Sequence, residues 1–184
     1  MMTRADVERI VKEAREKSEL PDLSQADLRG VDLNRMNLSN VNLRGAHLSR
    51  ADLGQADLSG AYLSGADLRW ANLNGVDLGG AHLRQTDLRE ADLHQVNLRW
   101  ADLSEAYFRG AHLTGVDLSG AYLGRAYMRG ADLSEANLSG ANLTGADLTD
   151  AILPNGFDPN LVTYDKTTKW PWQKDKITEG ERSE

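Results

Sequence analysis

The sequence ADLRG at residues 26–30, which returns as ADLSE at residues 131–135, is one unit of the five-residue repeat that decides the fold. Residues 21–155 divide into 27 consecutive pentads without an insertion or a deletion. The third residue of each pentad, here called its centre, is Leu in 25 of the 27. The first residue is Ala in 19 and Val in five, the second is mostly Asp or Asn, and 15 of the 17 glycines fall in the last two places. This order of residue types predicts one short structural unit that is built many times.

The pattern within a pentad predicts a short strand followed by a turn. Two apolar positions separated by one polar residue place the Ala and the Leu on one face and the Asp or Asn on the other. The last two positions, rich in Ser and Gly, allow the chain to bend. On an α-helix, successive centres would lie about 140° apart and would share no common stripe. The repeat therefore predicts a β-solenoid, in which each unit stacks on its neighbours.

The A-(D/N)-L-x-x repeat resembles that of the pentapeptide-repeat family over 135 of the 184 residues. The resemblance implies an all-β solenoid: a right-handed quadrilateral β-helix with four pentads per coil, in which the centre and the preceding Ala point inward. It implies roughly 6.75 coils and a rod roughly 32 Å long at the usual strand spacing of ~4.8 Å. Residues in the same place on successive coils would then stack. We expect the core to contain Leu28, Leu68, Leu88, Phe108 and Met128.

The two segments that flank the repeat are predicted to be end caps. Residues 1–20 predict an amphipathic helix over residues 3–19, with Thr3 as its N-cap, and a partner or membrane helix is the alternative. Residues 156–172, apolar and broken by prolines, predict a lid that folds back and follows the repeat without continuing it. Dimerisation through this lid is the alternative. Residues 173–184 are charged and small and predict a disordered tail.

The charge of the chain is distributed unevenly over the four faces of the expected coil. The net charge is -7, from 21 Lys and Arg against 28 Asp and Glu. Two faces are neutral, while the face that contains Asp32 sums to -4 and the face that contains Asp57 to -2. A net negative charge disfavours non-specific binding to nucleic acids and to anionic membranes.

One of the neutral faces carries a ladder of arginines at the same outward place on four successive coils. Tyr107 and Tyr127 stack beside this ladder, and Trp70 lies at the adjacent bend. Like charges about 4.8 Å apart repel each other. Either Asp67, Asp87, solvent and the tyrosine rings offset this repulsion, or the ladder docks an acidic or phosphate-bearing partner with Trp70 as an apolar anchor. The ladder consists of Arg69, Arg89, Arg109 and Arg129.

The composition disfavours several classes of function. The chain has no cysteine, which excludes disulfides, thiolate metal sites and cysteine nucleophiles. The pentads repeat the same side-chain types without a departure that would mark a catalytic constellation, so we expect no catalytic residues, no metal and no cofactor. No run approaches the roughly 20 apolar residues of a membrane helix, and the N-terminus leads into charges instead of a signal peptide. We expect a cytoplasmic protein.

These observations favour a non-catalytic interaction or scaffold protein that presents a rigid, rod-like surface to a protein partner. We expect a monomer that binds neither nucleic acid nor membrane. The family resemblance, which points to a bacterial protein, implies an alternative, because some members resemble B-form DNA, bind DNA gyrase and protect it from quinolones. Duplex DNA would carry roughly 19 phosphates over ~32 Å, whereas the repeats carry 17 acidic and 11 basic side chains. A rod that serves only as a spacer or stacks end to end is a third possibility.

Overall fold

The computed structural model describes residues 2–172, most of which wind into a four-sided coil. The helices are α1, Arg4–Glu16, and a short 3-10 helix, Pro159–Leu161. Between them the chain pairs through single-residue parallel bridges, each of which joins the second residue of a pentad to its counterpart four pentads later. The series begins with Asp22 and Asn42 and runs to Asp132 and Ile152. Four pentads therefore complete one coil.

Each side of the coil ends in a tight turn. The N–H of the first residue of a pentad donates to the C=O of the preceding centre, as from Ala46 to Leu43 at 3.0 Å. The last residue of every pentad between residues 21 and 150 has a positive φ, and fourteen of these residues are not glycine. A positive φ at the third residue of a four-residue turn is type II geometry, which glycine adopts without steric cost.

The polar second residue of the pentad has a structural role that the alternation pattern does not reveal. Its side-chain oxygen accepts the N–H of the fourth residue, as Asp52 Oδ1 does from Gly54 at 3.0 Å. Asn72 Oδ1 accepts from the N–H of Asn74 at 3.0 Å in the same way. Asp and Asn recur at this place because their short side chains close this local turn.

The centres and first residues of the pentads fill the interior of the coil. The five expected core residues are all fully buried: Leu28, Leu68, Leu88, Phe108 and Met128. Thr86 takes the place usually held by Ala and is also fully buried. Its Oγ1 donates to the carbonyl oxygen of Leu63 at 2.9 Å, which satisfies the hydroxyl inside an apolar core.

The N-terminal helix packs on the first coil. Thr3 is its N-cap and exchanges hydrogen bonds with Asp6. Val7 and Val11 are buried in the same core as the first centres of the repeat. The helix ends at Glu16, three residues before the predicted end, and Ser18 adopts a left-handed conformation with φ 57°. A residue in this conformation is a common helix terminator.

The C-terminal segment differs from the prediction, because residues 156–172 extend the coil. Thr163 pairs with Asn142 and Lys169 with Asp147, in the same parallel sense as the repeats. The partners are 21 and 22 residues apart, so the pentad spacing is lost while the ladder continues. Trp170 follows at the place of a centre and is 6 % exposed. The predicted tail, residues 173–184, lies outside the described residues.

Over residues 2–172, no helix has both the length and the apolar character needed to cross a bilayer.

Candidate partner-binding face

The face that carries the arginine ladder, here called the arginine face, consists of one pentad from each of seven successive coils. These pentads begin at residues 26, 46, 66, 86, 106, 126 and 146. Because the bridges align the coils, residues in the same place of each pentad form a column along the rod. The column of fourth residues contains Arg29, Ser49, Arg69, Arg89, Arg109, Arg129 and Thr149.

The first part of this column is neutralised by carboxylates from the same pentads. Arg69 Nε and Nη2 donate to Asp67 Oδ1 and Oδ2, both at 2.8 Å. Arg89 binds Asp87 in the same bidentate way at 2.8 and 2.6 Å. The equivalent pair at the start of the rod joins Arg29 to Asp27. These fork-shaped pairs are charge-assisted hydrogen bonds, the stronger class of polar contact.

The pKa values reflect this pairing. The pKa of Asp67 is held below its usual 3.8, chiefly because the Arg69 side chain donates hydrogen bonds to the carboxylate. The backbone N–H and the positive charge of Arg69 act in the same direction, and together they outweigh burial, which alone would raise the pKa. The carboxylate of Asp67 in turn raises the pKa of the Arg69 guanidinium. Both groups are therefore charged at neutral pH. The two donors of Arg69 and the two oxygens of Asp67 bind each other and are not offered to a partner.

Trp70 belongs to the paired part of the face. The guanidinium carbon of Arg69 lies 5.3 Å from the centroid of the Trp70 ring, and the guanidinium carbon of Arg50 lies 5.5 Å from it. Half of its side chain remains exposed. The proposed anchor is thus already covered in part by two cations of its own chain.

In the second part of the column, tyrosines replace the carboxylates. Tyr107 and Tyr127 stack with ring centroids 4.8 Å apart and an interplanar angle of 4°. Arg109 has no ion pair or hydrogen bond from its side chain to any of residues 2–172. Arg129 Nη2 instead reaches Asp150 Oδ2 at 3.2 Å. Neither guanidinium lies over a tyrosine ring, so the first alternative does not hold in its contact with these rings. Within the described residues, the rings under guanidinium groups are those of Tyr62 and Trp70.

A shallow notch of about 550 Å³ opens beside the second part of the column. Its side chains are Arg109 and Arg129, with Glu90 at one end and Asp150 at the other. Gly110 and Gly130, which follow these arginines, also line the notch. One guanidinium without a partner and two exposed aromatic rings are therefore grouped on one part of the rod.

The structure thus divides the seven predicted binding residues into two groups. Trp70, Arg69 and Arg89 belong to the paired part, whereas Tyr107, Tyr127, Arg109 and Arg129 belong to the part with tyrosines. The sequence already contains the signal for this division. An Asp stands two places before each arginine of the first group, and a Tyr stands two places before each arginine of the second group. The notch residues Glu90 and Asp150 were not predicted, since only the coil brings them beside Arg109 and Arg129.

The repeat region matches a family model described as pentapeptide repeats in eight copies. The matches span residues 22–60, 37–75, 71–110, 91–130 and 111–150. Together they extend over residues 22–150, which is more than half of the chain. No match was found among curated proteins.

Solved structures of pentapeptide repeat proteins are similar to this chain. Rfr23 from the cyanobacterium Cyanothece 51142 is 26% identical, with 89% of this chain and 98% of that chain covered and a TM-score of 0.37. HetL from the cyanobacterium Nostoc sp. strain PCC 7120, involved in heterocyst differentiation regulation, is 32% identical over 83% of this chain and 84% of that chain, with a TM-score of 0.27. QnrB1, a plasmid-mediated fluoroquinolone resistance protein, is 17% identical over 79% of this chain and 89% of that chain, with a TM-score of 0.43.

The five-residue period, the coil of four pentads and the family match agree with one another. The chain belongs to the pentapeptide-repeat family, whose proteins are right-handed quadrilateral β-helices.

Proposed function

We propose that this protein is a non-catalytic interaction or scaffold protein that binds a protein partner through the second part of its arginine face. The observation that carries the proposal is that Tyr107 and Tyr127 stand in the place that Asp67 and Asp87 hold in the earlier pentads of this face. This exchange leaves Arg109 without a partner among residues 2–172 and places two half-exposed rings beside it. Tyr and Arg are the residue types enriched at protein interfaces.

The chemistry of the notch selects for an acidic group on the partner. Arg109 can offer several N–H donors in one plane, which matches a carboxylate or a phosphate. Asp150 already occupies Arg129, and Glu90 at the other end of the notch repels a second negative group. A single carboxylate or phosphate at Arg109, with apolar partner atoms on Tyr107 and Tyr127, fits this arrangement.

The proposal includes a closed rod that acts as a monomer in the cytoplasm. Val7 and Val11 of α1 and Trp170 of the C-terminal segment are buried in the core, and Phe157 and Val162 pack against it. These contacts support a capping role for α1 and for residues 156–172, because a bare solenoid end would expose its core. Dimerisation through the exposed Leu161, Tyr164 and Trp172 is the alternative, detected as a doubled mass in light scattering.

The proposed partner is neither a nucleic acid nor a membrane. The net charge of -7 supports this part of the proposal, since both of those surfaces are anionic. A catalytic role is not proposed, because the arginine face combines guanidinium groups, phenol rings and carboxylates without an arrangement of nucleophile and base.

Affinity capture from a lysate of the producing organism tests the proposal with two matched variants. Arg109→Ser with Arg129→Ser removes two positive charges from the second part of the face. Arg69→Ser with Arg89→Ser removes two from the paired part and is the control. We expect wild type and the control to retain the same partner and the first variant to lose it.

Equal capture of the partner by all three proteins would refute the role of Arg109 and Arg129. If that partner were DNA gyrase, the acidic faces would carry the interaction and the DNA-mimic alternative would replace the proposal. Capture that fails for wild type as well would favour a spacer role, which small-angle scattering at rising concentration tests through the length of the rod.

A further inference from the structure

Two nearly identical sequences around tryptophan differ in where they carry their acidic residue. Residues 67–72 read DLRWAN, and residues 97–102 read NLRWAD. In both, the tryptophan is the last residue of a pentad with a positive φ, and an arginine precedes it. The exchange of Asp and Asn changes what each arginine binds.

In the first sequence, the guanidinium of Arg69 contacts both a carboxylate and the tryptophan ring. Arg69 forms its bidentate pair with Asp67 and lies 5.3 Å from the centroid of Trp70. The side chain is 37 % exposed, less than the 56 % of Arg99. Carboxylate, guanidinium and indole therefore form one compact group.

At the second sequence, the guanidinium is directed elsewhere. Arg99 has Asn97 two places before it, and its Nη1 lies 3.8 Å from Asp117 Oδ2 on the next coil. Trp100 has no cation over its ring within residues 2–172 and is 63 % exposed. Asp102 makes no ion pair within the same residues.

Trp100 and Asp102 line a groove of about 340 Å³ together with a second exposed ring, Tyr122. The ring of Trp100 lies against Gly120, where a Cβ would collide with it. Asp102 Oδ1 accepts the N–H of Ser104 at 3.0 Å, which fixes the carboxylate on the coil. The remaining lining residues are Gly80, His82 and Ser104.

We propose that this groove binds an arginine side chain of a basic peptide segment on a partner protein. The guanidinium would pair with Asp102 and lie over Trp100, as Arg69 does with Asp67 and Trp70 within the chain. A planar guanidinium is suited to this task because it stacks on aromatic faces and binds carboxylates through two donors. Of the two faces that meet at this groove, the one with pentad 96–100 has a net charge of -2, which complements a basic segment, and the one with Asp102 is neutral.

The groove is independent of the proposed acidic-partner site. It shares no residue with the notch beside Arg109, and it lies at the bend that joins the pentads 96–100 and 101–105. Failure of either proposal therefore leaves the other unaffected, because the variants and the probes differ.

The test is an NMR titration of the full-length protein with the peptide acetyl-Gly-Arg-Gly-amide. A matched peptide carries citrulline, which keeps the shape of arginine but has no charge. We expect the arginine peptide to shift the indole N–H signal of Trp100 and the amides of Asp102 and Gly120 in a saturable manner. We expect the citrulline peptide to bind at least about tenfold more weakly, because it lacks the charge-assisted contact.

Two variants test the residues without disturbing the coil. Trp100→Gly places at this turn the residue that its neighbours Gly80 and Gly120 already carry with positive φ. Asp102→Asn keeps the acceptor for Ser104, as Asn142 does for Thr144. We expect the first variant to abolish saturable binding and the second to weaken it about tenfold. Trp70→Gly is the control and should bind like the wild type.

Equal affinity for the arginine and citrulline peptides would overturn the proposal, as would wild-type affinity in Asp102→Asn. Shifts that remain linear up to concentrations on the order of 10 mM would also overturn it. A peptide that perturbs Trp70 in place of Trp100 would show that the internal pair at Arg69 exchanges, and the groove would lose its assigned ligand.

Discussion

The side chain of Arg69 is held by Asp67 through two hydrogen bonds of 2.8 Å, and this pairing follows from their spacing within one pentad. Two coils further along, Arg109 occupies the same place but follows Tyr107. Its guanidinium has no ion pair with residues 2–172. The residue two places before Arg69 and Arg109 therefore decides whether that arginine pairs within its own pentad.

Tyr107→Asp should close the proposed binding site without removing its arginine. We expect the new carboxylate to form the same fork-shaped pair with Arg109 that Asp67 forms with Arg69. The free energy of unfolding should change by less than about 1 kcal/mol, since exposed ion pairs contribute little. Loss of the captured partner, measured beside a crystal structure of the variant, checks the prediction.

Tyr107→Asn is the control for that experiment, because it removes the ring and adds no charge. If Tyr107→Asp pairs with Arg109 and still captures the partner as wild type does, the guanidinium is not a binding group.

Gly115→Ala should destabilise the coil even though there is space for the added methyl group. Gly115 has φ +70°, and no atom beyond its chain neighbours lies within 4 Å of the place that the methyl carbon would take. A left-handed conformation costs an L-residue about 1 kcal/mol relative to glycine, and we expect a loss of that size in urea unfolding.

Gly124→Ala is the matched control, because Gly124 lies in the fourth place of its pentad and its φ is not positive. An added Cβ there would make ordinary contacts at 3.8 and 3.9 Å. The change should be neutral or stabilise by up to about 1 kcal/mol through the unfolded chain. Equal losses in the two variants would contradict the role of the turn geometry.

Thr86→Val should reduce stability by about 1 kcal/mol, the usual net contribution of one intramolecular hydrogen bond. The valine keeps the shape of the side chain, and Val76 and Val96 show that this residue fits the same place in other pentads. The carbonyl oxygen of Leu63 retains the N–H of Ala66 at 2.9 Å, so no acceptor is left unpaired. Urea unfolding measures the change, and a variant as stable as wild type would show that the buried hydroxyl contributes nothing.

The stability of the rod should fall in acid, and Asp67 should contribute to the fall. Its pKa is lower in the folded chain than its usual 3.8, so the unfolded chain takes up a proton first as the pH decreases. The stabilisation is therefore complete above about pH 5 and decreases as the pH falls below the usual carboxyl value and through the lowered one.

Asp67→Asn tests that sign. It should be less stable than wild type at neutral pH, and the difference should shrink as the pH falls through the lowered pKa of the wild-type Asp67 carboxyl group. Unfolding free energies measured across this range check it. If the difference in unfolding free energy between the two proteins stayed constant with pH, the ion pair between Asp67 and Arg69 would not contribute to the stability of the fold.

The regular part of the fold could be predicted because every pentad repeats one local rule. Leu centres and preceding Ala residues specify a core, and a period of five excludes the helix, so burial of Phe108 and Met128 followed from their place in the repeat. The end of α1 and the course of residues 156–172 did not follow a repeat. Thr163 and Lys169 find their partners at spacings of 21 and 22 residues, which only the packing of the irregular segment determines.

The sequence by itself determined the strand and turn of each pentad and the burial of its centre, because a strict period of five repeats one local rule. The stacking of every fourth pentad, and with it the column of arginines, was implied by the resemblance to the pentapeptide-repeat family, and the bridges between coils show it. The tertiary structure decided where each long side chain goes. Arg99 and Arg69 precede a tryptophan in the same way, yet one reaches Asp117 on the next coil and the other covers Trp70. The physical reason is that a flexible guanidinium pairs with the nearest carboxylate in space, and only the stacked coils specify which carboxylate that is.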